Sequence, residues 1–102
     1  MAAKKIVKDA DIVLEVLDAR FPHITRILRL EKMAKEKLIL VINKIDLVSR
    51  KTLDKINTEF KNSKYVLVSS KYNKNFGELI NFIKEQEEKL GRRLSPYTMR
   101  SS

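Results

Sequence analysis

Three short apolar runs, Ile12–Leu17, Leu38–Ile42 and Tyr65–Val68, constrain this chain more than any other feature. Each is rich in Val, Ile, Leu or Tyr and is short enough for a strand. None alternates strictly between apolar and polar, as expected of strands covered on both faces of a parallel sheet. Glu15 is the only charge inside them. The segments between them carry helical periodicity instead. Ile24, Ile27, Leu28 and Met33, with Leu30 to one side, line a helix over about Ile24–Glu36. Leu53, Ile56 and Phe60 mark a second over about Lys51–Lys61, and Phe76, Leu79, Ile80, Phe82, Ile83 and Leu90 mark a third. Asn75, with Glu78 three residues on, reads as a capping box at the start of the third helix, and Gly91 as its stop. A short helical turn around Lys4–Ala10 comes first.

The resulting β-α-β-α-β-α order, with right-handed crossovers, predicts a three-layer α/β fold built on a three-stranded parallel sheet. It occupies residues 1–91. Residues 92–102 hold three arginines and no acid and read as a basic extended tail. Such a sheet leaves the first strand with an open edge. The tail, the N-terminus or a second copy is expected to cover it, so a homodimer through that edge is one expectation.

Composition narrows the chemistry. A chain of 102 residues holds one small domain. Without cysteine it has no disulfide, thiolate metal site or cysteine nucleophile, and its single histidine, His23, builds no metal cluster. His23, beside Pro22 at a helix start, reads as a capping or solvent-facing residue. No catalytic residue and no metal site are expected. No run approaches the roughly 20 apolar residues that cross a bilayer, and no signal peptide is evident, so a cytoplasmic protein without a membrane partner is expected. Lysine and arginine total 22 against 13 acids, a net charge of +9. That balance favours polyanions such as RNA, with Lys4, Lys5, Lys8, Arg26, Arg29, Lys32, Lys35, Lys37, Arg92, Arg93 and Arg100 as phosphate contacts. A solvated cationic face is the simpler explanation of the same residues.

In open parallel sheets, ligands bind outside the carboxyl ends of the strands. Here the three strands run into Asp18-Ala19-Arg20, Asn43-Lys44-Ile45-Asp46 and Ser69-Ser70-Lys71. Three polar loops on one sheet edge make a site. An ionised Asp46 only accepts hydrogen bonds, which suits a ligand edge with two parallel N–H donors, as guanine has. The alkyl stem of Lys44 can lie across a planar ring. Asn43 can reach a purine ring nitrogen and the neighbouring loops, while Ser70 and Lys71 close the opposite side. Tyr72 is the one loop aromatic near the site.

Asn43-Lys44-Ile45-Asp46 resembles the guanine-specificity motif of the translation-factor-related GTPases, and Ser69-Ser70-Lys71 resembles their second base-contacting loop. The segment Asp11–Pro22 is similar to the start of the circularly permuted ribosome-assembly GTPases (the YlqF/YawG-like family), in which the base-recognition motifs precede the phosphate loop. The resemblance covers about Ile6–Leu90. It implies the C-terminal half of a P-loop GTPase domain, with Asp46 on the guanine N1 and N2 donors, Asn43 near N7 and Lys44 on base and sugar. Ser69, Ser70 and Lys71 would flank O6 and the other ring face. Ser70 stands where the family generally has alanine, at a contact made through the backbone. Asp18, Ala19 and Arg20 match the family segment with a structural or partner-facing role.

The sequence contains neither Gly-x-x-x-x-Gly-Lys-Ser/Thr nor Asp-x-x-Gly, and its glycines are Gly77 and Gly91 alone. The resemblance therefore implies a base-recognition half with weak GTP or GDP binding and no hydrolysis of its own. Two rival readings remain at this level. One is a basic RNA- or ribosome-binding module, the other a structural or protein-interaction fragment, each with unused nucleotide loops.

Overall fold

The computed structural model describes the backbone over residues 2–100 and the side chains over residues 5–99. The contacts expected of Lys4 and Arg100 lie outside the described side chains. Helix α1 (Ala2–Asp9) leads into strand β1 (Ile12–Asp18), followed by α2 (Pro22–Thr25), α3 (Leu28–Ala34) and β2 (Leu38–Asn43). Then come α4 (Arg50–Glu59), β3 (Tyr65–Leu67), α5 (Phe76–Leu90) and β4 (Pro96–Arg100). The sheet order is β3-β2-β1-β4, and all three pairings are parallel.

The period-two geometry of the strands sorts the core. Leu17, Leu40 and Ile42 face one way and, with Ala19, meet Ile56 and Phe60 of α4 and the loop beyond it. Val13 faces the same way and meets Val7 and Ala10 near α1 and Leu30 and Ala34 of α3. On the opposite face Ile12, Ile39, Val41, Val66 and Val68 are covered by Phe76, Leu79, Phe82 and Ile83 of α5. The α/β three-layer arrangement and the parallel sheet follow the apolar pattern of the sequence.

The sheet has four strands rather than three, because residues 96–100 pair with β1 and close its free edge. Unpaired strand-edge groups gain hydrogen bonds from such an addition. Asp11 anchors it: its Oδ1 and Oδ2 accept from Arg92 at 2.7 and 2.8 Å, and Oδ2 also accepts from the Ser95 amide at 2.8 Å. The Glu87 carboxylate accepts from the Leu94 amide at 2.9 Å. Tyr97 and Met99 then pack against the α1–α3 cluster. The first-strand edge expected to serve a homodimer is thus filled from within the chain.

The helix expected over Ile24–Glu36 is broken at Arg26, which is extended, and at Ile27, which also lies outside the helical region. The cause is Glu15. Its carboxylate accepts the Ile27 amide at 2.6 Å, so that N–H is satisfied outside the helical ladder. Asn75 departs from its expected capping role. It sits at φ 64 without a side-chain cap bond, and its amide donates instead to the Leu67 carbonyl at 2.8 Å. Gly91 ends α5 in the left-handed region at φ 69, as glycine permits. Among the described residues no helix is long and apolar enough to cross a membrane.

Candidate guanine-recognition site

β1 and β2 end in register, Asp18 opposite Asn43, so their following loops emerge side by side. The third loop joins them through Asn43. The Asn43 Oδ1 accepts from the Ser70 amide at 3.0 Å and the Lys44 amide at 2.8 Å, while its Nδ2 donates to Ser70 Oγ at 3.0 Å. Lys44 adopts φ 68, a left-handed conformation that costs a non-glycine residue energy. A 3₁₀ turn over Ile45–Leu47 follows, with the Ile45 amide donating to the Val68 carbonyl at 3.3 Å.

Asp46 lies on that turn with an exposed side chain. Its Oδ1 accepts a 2.7 Å hydrogen bond from Ser69 Oγ, and Ser69 is fully buried. Among the described residues its Oδ2 makes no hydrogen bond, leaving acceptor capacity toward solvent. The Ser69 hydroxyl also accepts from the Tyr72 amide at 3.3 Å. Reciprocal backbone hydrogen bonds between Ser69 and Lys74 close this loop, so Lys71 and Tyr72 stand at its tip. There the Lys71 ammonium lies 5.4 Å from the centre of the Tyr72 ring. The six residues expected around a guanine, Asn43, Lys44, Asp46, Ser69, Ser70 and Lys71, lie on two loops joined by these bonds. Ser69 differs from the others in being buried behind Asp46.

Asp18-Ala19-Arg20 forms the adjoining wall. The Asp18 Oδ1 accepts from the Arg20 amide at 2.9 Å and Nε at 3.0 Å, and Oδ2 accepts from Nη2 at 2.7 Å. Lys44 Nζ is 3.3 Å from the same Oδ2. These donors, Arg20 foremost, hold the Asp18 carboxyl well below the usual carboxylate range. The Asp18 amide donates to Thr25 Oγ1 at 3.3 Å. Ala19 is fully buried beside Ile56 and Phe60, and its amide donates to the Asn43 carbonyl at 2.9 Å. A cavity of about 180 Å³ lies between Asp18, Arg20, Phe21, Thr25, Asn43 and Lys44.

A polar cluster absent from the sequence expectations sits beneath this wall. Glu15 is 1% exposed. Burial, together with the adjacent Glu31 carboxyl, raises its pKa to about 8. Arg26 pairs bidentately with Glu31, at 3.0 and 2.6 Å, and its guanidinium lies 5.3 Å from the centre of the Phe60 ring. The only sequence signal for this cluster was an acid inside an apolar run.

The basic residues divide. Lys5, Lys8, Arg29, Lys32, Lys35 and Arg93 are exposed. Arg26 and Arg92 are held in ion pairs, and Lys37 donates to the Val7 and Lys8 carbonyls at the end of α1. His23 stacks on Phe60 with ring centres 5.1 Å apart, and its Nε2 lies 2.6 Å from Glu59 Oε2. No cluster of three or more His, Cys, Asp or Glu side chains suited to a metal ion occurs among the described residues.

No protein-family model matches the chain. An uncharacterized GTP-binding protein of Methanocaldococcus jannaschii is 39% identical over 92 residues, 87% of this chain and 24% of that protein. The chain is homologous over part of its length to a family of GTP-binding proteins. GTPase grn1 of Schizosaccharomyces pombe is 48% identical over 65 residues, covering 58% of this chain and 14% of its own length. Guanine nucleotide-binding protein-like 3 of Homo sapiens is 42% identical over 55 residues, 50% of this chain and 10% of that protein. The chain therefore spans a quarter or less of the relatives it matches.

Proposed function

We propose that this chain is the guanine-recognition part of a GTP-binding protein of the circularly permuted, ribosome-assembly type. The observation that carries the reading is Asp46, an exposed residue whose Oδ1 is held by buried Ser69 and whose Oδ2 makes no hydrogen bond among the described residues. Guanine presents N1–H and N2–H donors side by side, and a carboxylate oriented this way accepts from both. Adenine presents no such pair. Asn43 supports the site by holding the loops at a fixed spacing, and Ser70 and Lys71 bound its far side. The relatives, a GTP-binding protein and a guanine nucleotide-binding protein by name, agree with this chemistry.

Triphosphate hydrolysis requires groups that position the phosphates and a metal ion. The 102 residues contain no glycine-rich phosphate cradle; Gly77 lies within α5 and Gly91 ends it. GTP and GDP are accordingly expected to bind weakly through the base, with no turnover by this chain alone.

Calorimetric titration with GDP, and with ADP as control, on the wild type and Asp46→Ala tests it. Guanine-selective binding that disappears in the variant is the expected result. Absence of binding by the wild type at millimolar nucleotide would overturn it.

A second reading has support in the exposed Lys5 and Lys8 of α1 and Arg29 and Lys32 of α3. Those helices pack together through Val7, Leu30 and Ala34, so the four cations belong to one double-helix surface suited to ribosomal RNA phosphates. RNA affinity that falls steeply with salt and is unchanged by Asp46→Ala would favour it.

A further inference from the structure

We propose that Asp18 is a positioning residue for Lys44, drawing the lysine side chain across the carboxyl ends of β1 and β2 so that its alkyl stem forms a wall of the base site. The inference rests on the guanine reading above and assigns a role to a residue that the reading does not use.

The geometry begins with the backbone. Asp18 and Asn43 are register partners on adjacent strands, so Lys44 starts one residue beyond the point opposite Asp18. Its left-handed φ of 68 turns the chain there. The Lys44 ammonium ends 3.3 Å from Asp18 Oδ2, so the stem bridges the two strand ends. The anchor is itself immobilised. Arg20 places three hydrogen bonds on the Asp18 carboxylate, from its amide, Nε and Nη2. Thr25 Oγ1 accepts from the Asp18 amide. A carboxylate so fixed gives the ammonium one defined partner rather than a mobile surface acid.

A free lysine side chain samples many rotamers, and ordering it against a ligand is unfavourable. Here the ion pair with Asp18 restricts those rotamers before a ligand arrives. The Lys44 side chain is also 48% exposed, so the stem remains open to contact. A stem held in place binds any planar purine ring through apolar contact, without reading its hydrogen-bonding edge. Asp18 should therefore set affinity, whereas Asp46 sets selectivity between guanine and adenine.

The experiment combines nucleotide titration with side-chain NMR of lysine-labelled protein. Asp18→Asn and Lys44→Met, the latter keeping an apolar stem without the ammonium, should each weaken GDP binding by about fivefold to tenfold. Their double variant should show no further loss, and the ratio of GDP to ADP affinity should stay at its wild-type value in all three. Asp46→Ala should collapse that ratio. In the free wild type, the Lys44 ammonium should give a distinct, slowly exchanging signal that Asp18→Asn removes. A Lys44 ammonium as mobile as the exposed lysines, or GDP affinity unchanged or increased in Asp18→Asn, would overturn the proposal. Should the wild type bind neither nucleotide, the base-recognition reading falls, and the ammonium signal alone decides whether Asp18 holds Lys44.

Discussion

Ser69 Oγ, with no solvent exposure, donates a 2.7 Å hydrogen bond to the exposed carboxylate of Asp46 on a different loop. The pairing lets a buried residue aim a surface one. A carboxylate on a surface turn would otherwise rotate freely about its χ angles and meet a ligand with either oxygen.

Removing the hydroxyl should therefore act on binding. Hydrogen bonds to charged groups contribute about 1.5–3 kcal/mol, so Ser69→Ala should weaken guanine nucleotide affinity by about tenfold or more. Titration with GDP measures it. An unchanged dissociation constant would show that Asp46 needs no such support.

Stability should depend on pH through Glu15. Its folded-state pKa of about 8 lies above the ordinary value of 4.5, so between these values the folded chain keeps a proton that the unfolded chain has released. Stability is fully present below the lower value, declines as pH rises through this window, and levels off above about 8. Glu31 runs the other way: its pKa is lowered, with Arg26 favouring the charged form, so its contribution is lost as pH falls on the acid side. Glu15→Gln should flatten the decline between about pH 4.5 and 8. Urea denaturation across that range checks this, and a slope equal to the wild type's would exclude Glu15 as its source.

Arg92→Ala should loosen β4 without unfolding the sheet, since it removes both guanidinium bonds to Asp11. Amide exchange should accelerate over residues 96–100 and leave β2 protected. Protection of β4 at the wild-type level would mean that backbone pairing and the Tyr97 and Met99 contacts suffice.

Phe60 is 1% exposed, stacks on His23, lies 6.3 Å from the Tyr65 ring centre and carries the Arg26 guanidinium on its face. Phe60→Ala should destabilise the fold by about 3–5 kcal/mol, from lost burial and the cavity left behind. Denaturant unfolding gives the value. A loss under about 1 kcal/mol would mean that the neighbouring rings collapse into the space.

Legibility in the sequence followed the range of the interactions. The first three strands and the helices around Ile56 and Phe82 are set by local apolar spacing, and the pattern reveals them. The loops carrying Asn43, Asp46 and Ser70 were legible because strand ends place them on one edge. β4 was not, since five residues beyond Arg92 are held as a strand by contacts far along the chain, among them the pairing of Arg92 with an aspartate 81 residues before it. The break before Leu28 was hidden for the same reason, depending on Glu15 reaching across to the Ile27 amide. The Asn75–Glu78 spacing misled because the asparagine amide finds a better acceptor in the Leu67 carbonyl. Equally, nothing in local spacing joins Asp18 to Lys44.

Placing β1 between β2 and β4 also orders the folding of the chain. Pairing of β1 with β2, and of β2 with β3, closes loops of moderate length, whereas β1 meets β4 only once residues 96–100 have been made. Long-range strand pairings form slowly because their loops are costly to close. During synthesis, β1 would therefore wait with one row of backbone groups open, a period in which a chaperone or a second nascent chain can compete with Pro96–Arg100 for the same edge.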